Sequence, residues 1–425
     1  MRSFKLIQIG DIHFPEAKEK RNYDYKDHGF PRDLADICSP NPIQFVMRKI
    51  LDIITNKFDS VLFTGDLTSY GDISGYINCL KYLKDSIFFK LSDPSKEISV
   101  VPGNHDINSS ACLKDTSGIY DKFQPLLHQW QIINFDVLSV KDFRKVTIKN
   151  CFDCSANIYS INSCLGCWEK DYLPEAVRDK ISIFRNEYHK DVDSKIFFQL
   201  FGVQLNTPAF NADDINKLST DIQNSDNIIF PIVLSHHNIL PQTSPRIEIY
   251  TELINSGFSR YSFLSCNRPI IYCHGHIHKA SVEIVQHPDY VNSKLICISA
   301  PKLSNGFNVI DIQYNSQHIP LGCIIYFYDF SEGILKLPKE IRIPFHNYIE
   351  FEKTPNQDLL KIVNLVDKSG GSRFTALRDA CATKLDRKPQ IDSLANLLLE
   401  AEWFGFVKIM DRSADAKSWQ IKRLL

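Results

Sequence analysis

No apolar run in this 425-residue chain approaches the roughly 18 residues needed to cross a bilayer, so the sequence offers no transmembrane anchor. The segment from Met1 to Gly10 passes straight into a strand pattern and lacks the apolar stretch of a signal peptide, which leads us to expect a cytoplasmic protein. Charge of one sign is missing too. The formal net charge is −1, which gives no global attraction to nucleic acid or to an acidic membrane, so either contact would need a local patch. Internal repeats and low-complexity tracts are also absent. With 44% hydrophobic and 23% charged residues, the composition is that of a soluble globular protein and not a disordered one. The length implies two domains.

Cysteine is the residue type in unexpected supply, at 12. Most cysteines stand singly in apolar runs (Cys79, Cys266, Cys273, Cys297, Cys323), where buried free thiols are common. Cys151 with Cys154 and Cys164 with Cys167 form two CxxC pairs, the spacing of a structural zinc site. The nine residues between the pairs are few for a zinc ribbon, and Asn157 to Ile161 within them reads as a strand. A zinc site on these four residues and ordinary thiols in and near strands are both open readings. A disulfide role does not suit the cytoplasm.

Residues 1–106 read as strand, long loop, helix, strand, helix, strand, with helices near 42–57 and 74–88 at helical spacing. The loop from Phe14 to Asn41 is long for such a connection and is expected to line a cleft. Residues 107–228 carry the Asn157–Ile161 strand and helical segments such as 176–190. From 229 to 347 the pattern is mostly strand: Ala280–Ile284, Leu295–Ser299, Phe307–Ile312, Gly322–Phe330 and a last one near Ile334–Pro344. The texture changes near residue 353. Beyond it stand three amphipathic helix candidates (359–367, 373–385, 391–404) and a hairpin pattern at 406–410 and 418–422, which together resemble a winged-helix domain. Residues 1–352, with insertions near 14–41 and 107–228, are therefore expected to form one domain and 353–425 another. The second part holds 13 basic and 9 acidic residues.

The decisive feature is a set of five short blocks, each placed after an apolar run. They are Asp11-Ile12-His13, Gly65-Asp66, Gly103-Asn104-His105-Asp106, Ser235-His236-His237 and Gly275-His276-Ile277-His278. The runs before them, such as Val61 to Phe63 and Ile232 to Leu234, read as buried strands of an α/β protein, whose ligand sites lie at the carboxyl ends of strands. Oxygen ligands and imidazoles gathered at one rim make a site for two divalent metals. Gly65 and Gly103 let the backbone turn tightly so that the next side chain reaches inward.

This pattern of D-x-H, G-D, G-N-H-D, H and G-H-x-H, in that order over roughly residues 4–315, resembles the calcineurin-like metallophosphoesterase superfamily. The resemblance implies a metallophosphoesterase β-sandwich flanked by helices, here followed by the small α+β C-terminal domain. It also implies that Asp66 bridges two cations, that Asp11, His13 and His278 hold one, and that Asn104, His236 and His276 hold the other. Such a pair, about 3.5–4 Å apart, provides a metal-bound hydroxide at neutral pH and shields the phosphoryl oxygens. Mixed N/O ligation suits Mn, Fe, Zn or Ni, with Mn favoured. His105, next to a ligand, is a candidate to stabilise phosphate or protonate the leaving oxygen. Asp106 would orient its ring, and His237 would touch the substrate. Asn162 and Ser163 resemble a recurrent family feature that braces the core.

The expected activity is hydrolysis of a phosphodiester, the substrate a nucleotide. Gly65 to Gly71 and Val101 to Asp106 look most like the superfamily's bacterial cyclic-nucleotide branch. A DNA or RNA nuclease and a protein phosphatase are alternatives, while a non-enzymatic scaffold does not fit a complete set of ligands. The third C-terminal helix carries two acids and no base between Leu394 and Trp403. It suits a protein partner or self-association better than a nucleic-acid groove, with nucleic acid as the runner-up. The C-terminal part is expected to govern what the enzyme is brought to and not whether it cuts.

Overall fold

The computed structural model describes residues 1–14, 50–52, 58–69, 71, 73–108, 120–133, 137–167, 207–240, 253–330, 336–346, 357–367, 371–385, 388–412 and 415–424. The expected cleft loop after Phe14, the helix at 176–190 and the boundary near residue 353 lie outside them. Of the helix expected over 42–57, residues 50–52 are described and helical.

Two six-stranded sheets form the body. The first has the order β12-β11-β10-β1-β2-β3, with β1 Arg2–Ile9, β2 Ser60–Phe63, β3 Ile98–Val100, β10 Gly306–Tyr314, β11 Pro320–Asp329 and β12 Lys339–Pro344. The second runs β4-β5-β6-β7-β9-β8, with β4 Arg144–Lys149, β5 Ser155–Ser160, β6 Ile229–Leu234, β7 Pro269–His274, β8 Ser281–His287 and β9 Tyr290–Ser299. The pairs β1/β2, β2/β3, β5/β6, β6/β7 and β7/β9 are parallel, and β1/β10, β10/β11, β11/β12, β4/β5 and β8/β9 are antiparallel.

Side-chain alternation explains why the central runs are apolar throughout. Phe4 and Leu6 of β1, Leu62 of β2, Ile232 and Leu234 of β6 and Ile271 of β7 point between the sheets. Ile7, Ile9, Val61 and Phe63 point the other way, onto α1 (Ile73–Ser86) and α2 (Gln124–Ile132). Val233, Tyr272 and Ile270 point onto α3 (Ala212–Asn224) and α4 (Ser256–Leu264). A strand buried on both faces gains from every residue, at about 1.5–3 kcal/mol for each large apolar side chain. The result is a helix–sheet–sheet–helix sandwich, as the sequence led us to expect. No helix among the described residues is long and apolar enough to cross a membrane.

The C-terminal segment has its own core around Leu359, Phe374, Leu394 and Ile421. It contains α5 (Gln357–Leu365), β13 (Ser372–Arg373), α6 (Phe374–Lys384), α7 (Ile391–Trp403), β14 (Val407–Met410) and β15 (Gln420–Arg423), the last two antiparallel. Its third helix does not present its apolar face to an outside partner there. Trp403 instead packs with Leu321 and Ile324 of β11. A Cβ at Gly322 would lie 2.5 Å from the Trp403 ring, so glycine is what lets the indole lie on the strand. The Arg342 guanidinium stands over the same ring at 5.1 Å, and the buried Glu400 carboxylate accepts from Asn315 Nδ2 at 3.2 Å.

This contact generates a prediction. Trp403→Ala should destabilise the full chain by about 3 kcal/mol, the usual range for emptying a large aromatic site, and thermal denaturation should read it as a lowered Tm. An unchanged Tm would mean that the docking of α7 on β11 carries no stability.

Candidate metal centre

The seven residues of the pattern all lie in turns beyond the carboxyl ends of central strands. Asp11 and His13 follow β1, Asp66 follows β2 and Asn104 follows β3, while His236 follows β6 and His276 and His278 follow β7. Because these strands are parallel neighbours within each sheet, their ends meet at one rim. The turns are tight. Asp11 and His13 have φ of 46°, Asp66 51°, His276 66° and His278 56°, all in the left-handed region that side-chain-bearing residues seldom adopt. Such strain persists only where the surroundings over-determine it, as at functional sites.

One group comprises Asp11, His13, Asp66 and His278, whose ligand atoms all lie within 4.8 Å of one another. His13 Nε2 is 3.2 Å from His278 Nε2 and 3.7 Å from Asp66 Oδ2. His278 Nε2 is 3.4 Å from Asp11 Oδ1. A second group adjoins it. Asn104 Oδ1 lies 2.9 Å from His236 Nε2 and 3.2 Å from His276 Nδ1, and His236 Nε2 lies 3.4 Å from Asp66 Oδ2. Asp66 stands between the two groups. Its Oδ1 accepts the His105 N–H at 2.9 Å, whereas Oδ2 is buried and accepts no hydrogen bond from the described residues. A buried anionic oxygen without a donor is costly unless a cation faces it, and the imidazoles around it are nitrogen donors for such a cation. The residues fit a dinuclear centre.

The supporting contacts orient these donors. His236 Nδ1 donates to the Thr64 carbonyl at 2.7 Å, which turns the Nε2 lone pair inward. Burial works to raise the Asp11 carboxyl, but the His278 contact, the nearby His236 and the His276 N–H outweigh it and hold it below its usual range. Burial pulls His278 down, yet Asp11 and Asp66 bring it above its usual value. Burial pushes His13 well below its usual value, and the pull of Asp66 does not restore it. A neutral imidazole is the form that ligates a metal.

Three expectations need correction. Asp106 does not orient the His105 ring: its carboxylate accepts from the N–H groups of Leu67, Thr68 and Gly103 at 3.1, 3.0 and 3.0 Å. It ties the two metal-bearing turns together, and burial with the Asp66 charge nearby raises it to about 6. The ring is oriented by the Ser69 carbonyl, 2.9 Å from Nδ1. His237 is not placed to touch substrate. It is 0% exposed, lies beneath His236 and His276 with ring centroids 4.7 and 4.4 Å away, and bonds Ser163 Oγ through Nδ1 at 3.0 Å. Finally, Cys151 and Cys154 cannot share a metal with Cys164 and Cys167. The pairs flank opposite ends of β5, whose six residues span about 20 Å at 3.3 Å each.

Lys302, which belongs to none of the blocks, stands close enough to act on both rings: it adds to the effect of burial at His13 and works against the rise at His278. Its only sequence signal is its position just beyond β9, the strand-end logic of the other blocks.

Gly103 is the tightest point of the scaffold. A Cβ there would lie 2.0 Å from Asp66 Oδ1 and 2.3 Å from its backbone N. Gly103→Ala should displace the Asp66 carboxylate, lower stability by about 1–3 kcal/mol and reduce bound metal. Elemental analysis alongside thermal denaturation checks this; full metal content at wild-type Tm would contradict it.

The calcineurin-like phosphoesterase family matches residues 4–280. No curated protein matches significantly. Among solved structures, the chain is similar to a dimetal phosphatase from Danio rerio at 12% identity and a TM-score of 0.43, covering 80% of this chain and 99% of that one. It is similar to a purple acid phosphatase, PPD1, from yellow lupin at 11% and 0.42, covering 80% and 54%, and to a 5'-nucleotidase precursor from Thermus thermophilus at 11% and 0.34, covering 91% and 59%. These likenesses are too distant to bear on the substrate. Family membership rests on the match over residues 4–280 together with the strand-end blocks it contains: the chain belongs to the calcineurin-like phosphoesterases, a family of dinuclear-metal phosphoester hydrolases.

Proposed function

We propose that the chain hydrolyses phosphodiester bonds, with a nucleotide as substrate, at a dinuclear transition-metal centre. In this reading Asp66 would serve both ions, Asp11, His13 and His278 would hold one, and Asn104, His236 and His276 would hold the other. The observation that carries it is the buried Asp66 Oδ2, without a hydrogen bond and facing Nε2 of both His13 and His236. Mixed nitrogen and oxygen ligation suits Mn, Fe, Zn or Ni, and we favour Mn. When bound, the two ions supply a nucleophile at neutral pH and neutralise charge on the phosphoryl oxygens.

The chain's own contribution beyond the ligands centres on His105. Its ring is exposed and stands edge-on to His13 with centroids 4.9 Å apart. Nδ1 donates to the Ser69 carbonyl, so in the protonated ring Nε2 is left to hydrogen-bond a phosphoryl oxygen or to give its proton to the leaving oxygen. Lys302 adds positive charge at the same rim. Preference for a diester and a nucleotide rests on the likeness of the segments 65–71 and 101–106 to the cyclic-nucleotide branch. The element order of the C-terminal segment supports a winged-helix-like reading. We assign that segment no nucleic-acid role, since its third helix faces β11 and Arg412 is paired with Glu402 at 3.0 Å.

Chelation is expected to abolish hydrolysis of a chromogenic diester, and Mn²⁺ to restore it. Asp66→Asn should cost the most of the ligand changes, at least about 1,000-fold in kcat, because several kcal/mol of charge stabilisation converts at about 1.4 kcal/mol per tenfold. Full activity from metal-free chain would contradict the assignment. His105→Ala should lower kcat by about 100- to 1,000-fold while metal content stays at the wild-type level. Loss of metal from this variant would make His105 a structural residue instead.

A further inference from the structure

We propose that Cys164, Cys167 and His237 form a third metal site, separate from the dinuclear centre, that binds one soft divalent ion of the Zn²⁺ class through two thiolates and one imidazole nitrogen. All three residues are buried, and their ligand atoms lie within 4.8 Å of one another. Cys164 Sγ is 3.8 Å from His237 Nδ1. In a tetrahedral zinc site with bonds of about 2.3 Å to sulfur and 2.0 Å to nitrogen, those two atoms stand roughly 3.5 Å apart, so the ligands need move little. The backbone returns the second thiol towards the first: the Cys167 N–H donates to the Cys164 carbonyl at 3.1 Å, closing the turn of the CxxC segment.

A buried lysine braces the same turn. Lys122, 2% exposed, buries its ammonium against this turn and donates to the carbonyls of Leu165 and Cys167 at 2.7 and 2.6 Å. Burial, with Cys167 and the Asp66 and Asp106 charges adding to it, pushes the Cys164 thiol well above its usual range, so thiolate ligation there would need the charge of an ion. Binding would release both thiol protons to solvent and leave two thiolates and one divalent cation, a neutral cluster. The Cys164 thiol otherwise donates to the Pro102 carbonyl at 3.4 Å, a contact that ionisation would give up.

His237 is set up for this role. The Ser163 Oγ accepts the His237 backbone N–H at 3.1 Å, so its own proton is available to Nδ1, 3.0 Å away. An ion taken up between Nδ1 and Cys164 Sγ, 3.8 Å apart, would displace the Ser163 hydroxyl from the nitrogen's single lone pair. The opposite ring nitrogen, Nε2, is buried without a hydrogen-bond partner among the described residues. His237, His236 and His276 form a further cluster with ligand atoms within 4.8 Å. An ion on Nδ1 would therefore fix the ring that underlies two histidines of the dinuclear group.

The test is reconstitution of the full-length chain with Co²⁺, followed by metal counting and absorption spectroscopy. Thiolate ligation gives an intense near-ultraviolet sulfur-to-cobalt band that the nitrogen and oxygen ligands of the dinuclear centre cannot give. We expect three ions per chain and this band in wild type. Cys164→Ser/Cys167→Ser should bind two ions and lose the band, with diester hydrolysis within about twofold, well below the loss expected for a catalytic group. His237→Gln should weaken or abolish the band. Two ions and no sulfur band in wild type would overturn the proposal, as would a Cys164–Cys167 disulfide found by peptide mapping of alkylated protein. The wild-type spectrum decides the matter even if a variant fails to fold.

Discussion

One buried carboxylate organises the rim of this protein. Asp66 sits at 1% exposure with one oxygen held by the His105 N–H and the other turned, undonated, towards two imidazoles. A negative charge in that position destabilises the fold unless positive charge meets it. The arrangement around it makes sense as a cage for cations: parallel strands from two sheets end at one level, left-handed turns drive their side chains inward, and the missing Cβ of Gly103 makes room for the carboxylate itself. Asp106 completes the scaffold from below by taking three backbone N–H groups from both turns.

Much of this was legible in the sequence for a simple reason. Strands buried on both faces must be apolar throughout, and in such folds the first polar residues after them fall at the ligand-binding rim. The runs before Asp11, Asp66, Asn104, His236 and His276 therefore announced both the fold and the site. The helices and strands beyond residue 353 were equally visible, because their amphipathic spacing is long and regular. What escaped were relations that spacing cannot carry. A carboxylate next to a histidine reads as its orienting partner, yet the turn around Asp106 offers backbone donors that are nearer and already fixed. Two CxxC pairs read as one zinc site only while the strand between them is folded out of mind; β5 places the pairs at opposite ends. β4, with Val146 and Ile148 inward and lysines outward, was missed in a stretch without motifs.

The C-terminal helix shows the same limit from another side. An apolar helix with few bases is correctly read as a packing surface, but sequence does not say against what. Here the surface belongs to the same chain: Trp403 closes over Gly322 and is flanked by Arg342. The C-terminal segment is thus a buttress on the edge of the first sheet, and its loss would bare Leu321 and Ile324. One strand, β10, separates β11 from β1, the first of the strands whose ends carry the candidate ligands.

The central claim is that Asp66 joins two ions into one centre. Electron paramagnetic resonance of the manganese-loaded chain tests it most directly. A bridged pair gives the spectrum of two spin-coupled Mn²⁺ ions, and Asp66→Asn should replace it with that of an uncoupled ion. The six-line signal of isolated Mn²⁺ in wild type at full loading would contradict the account.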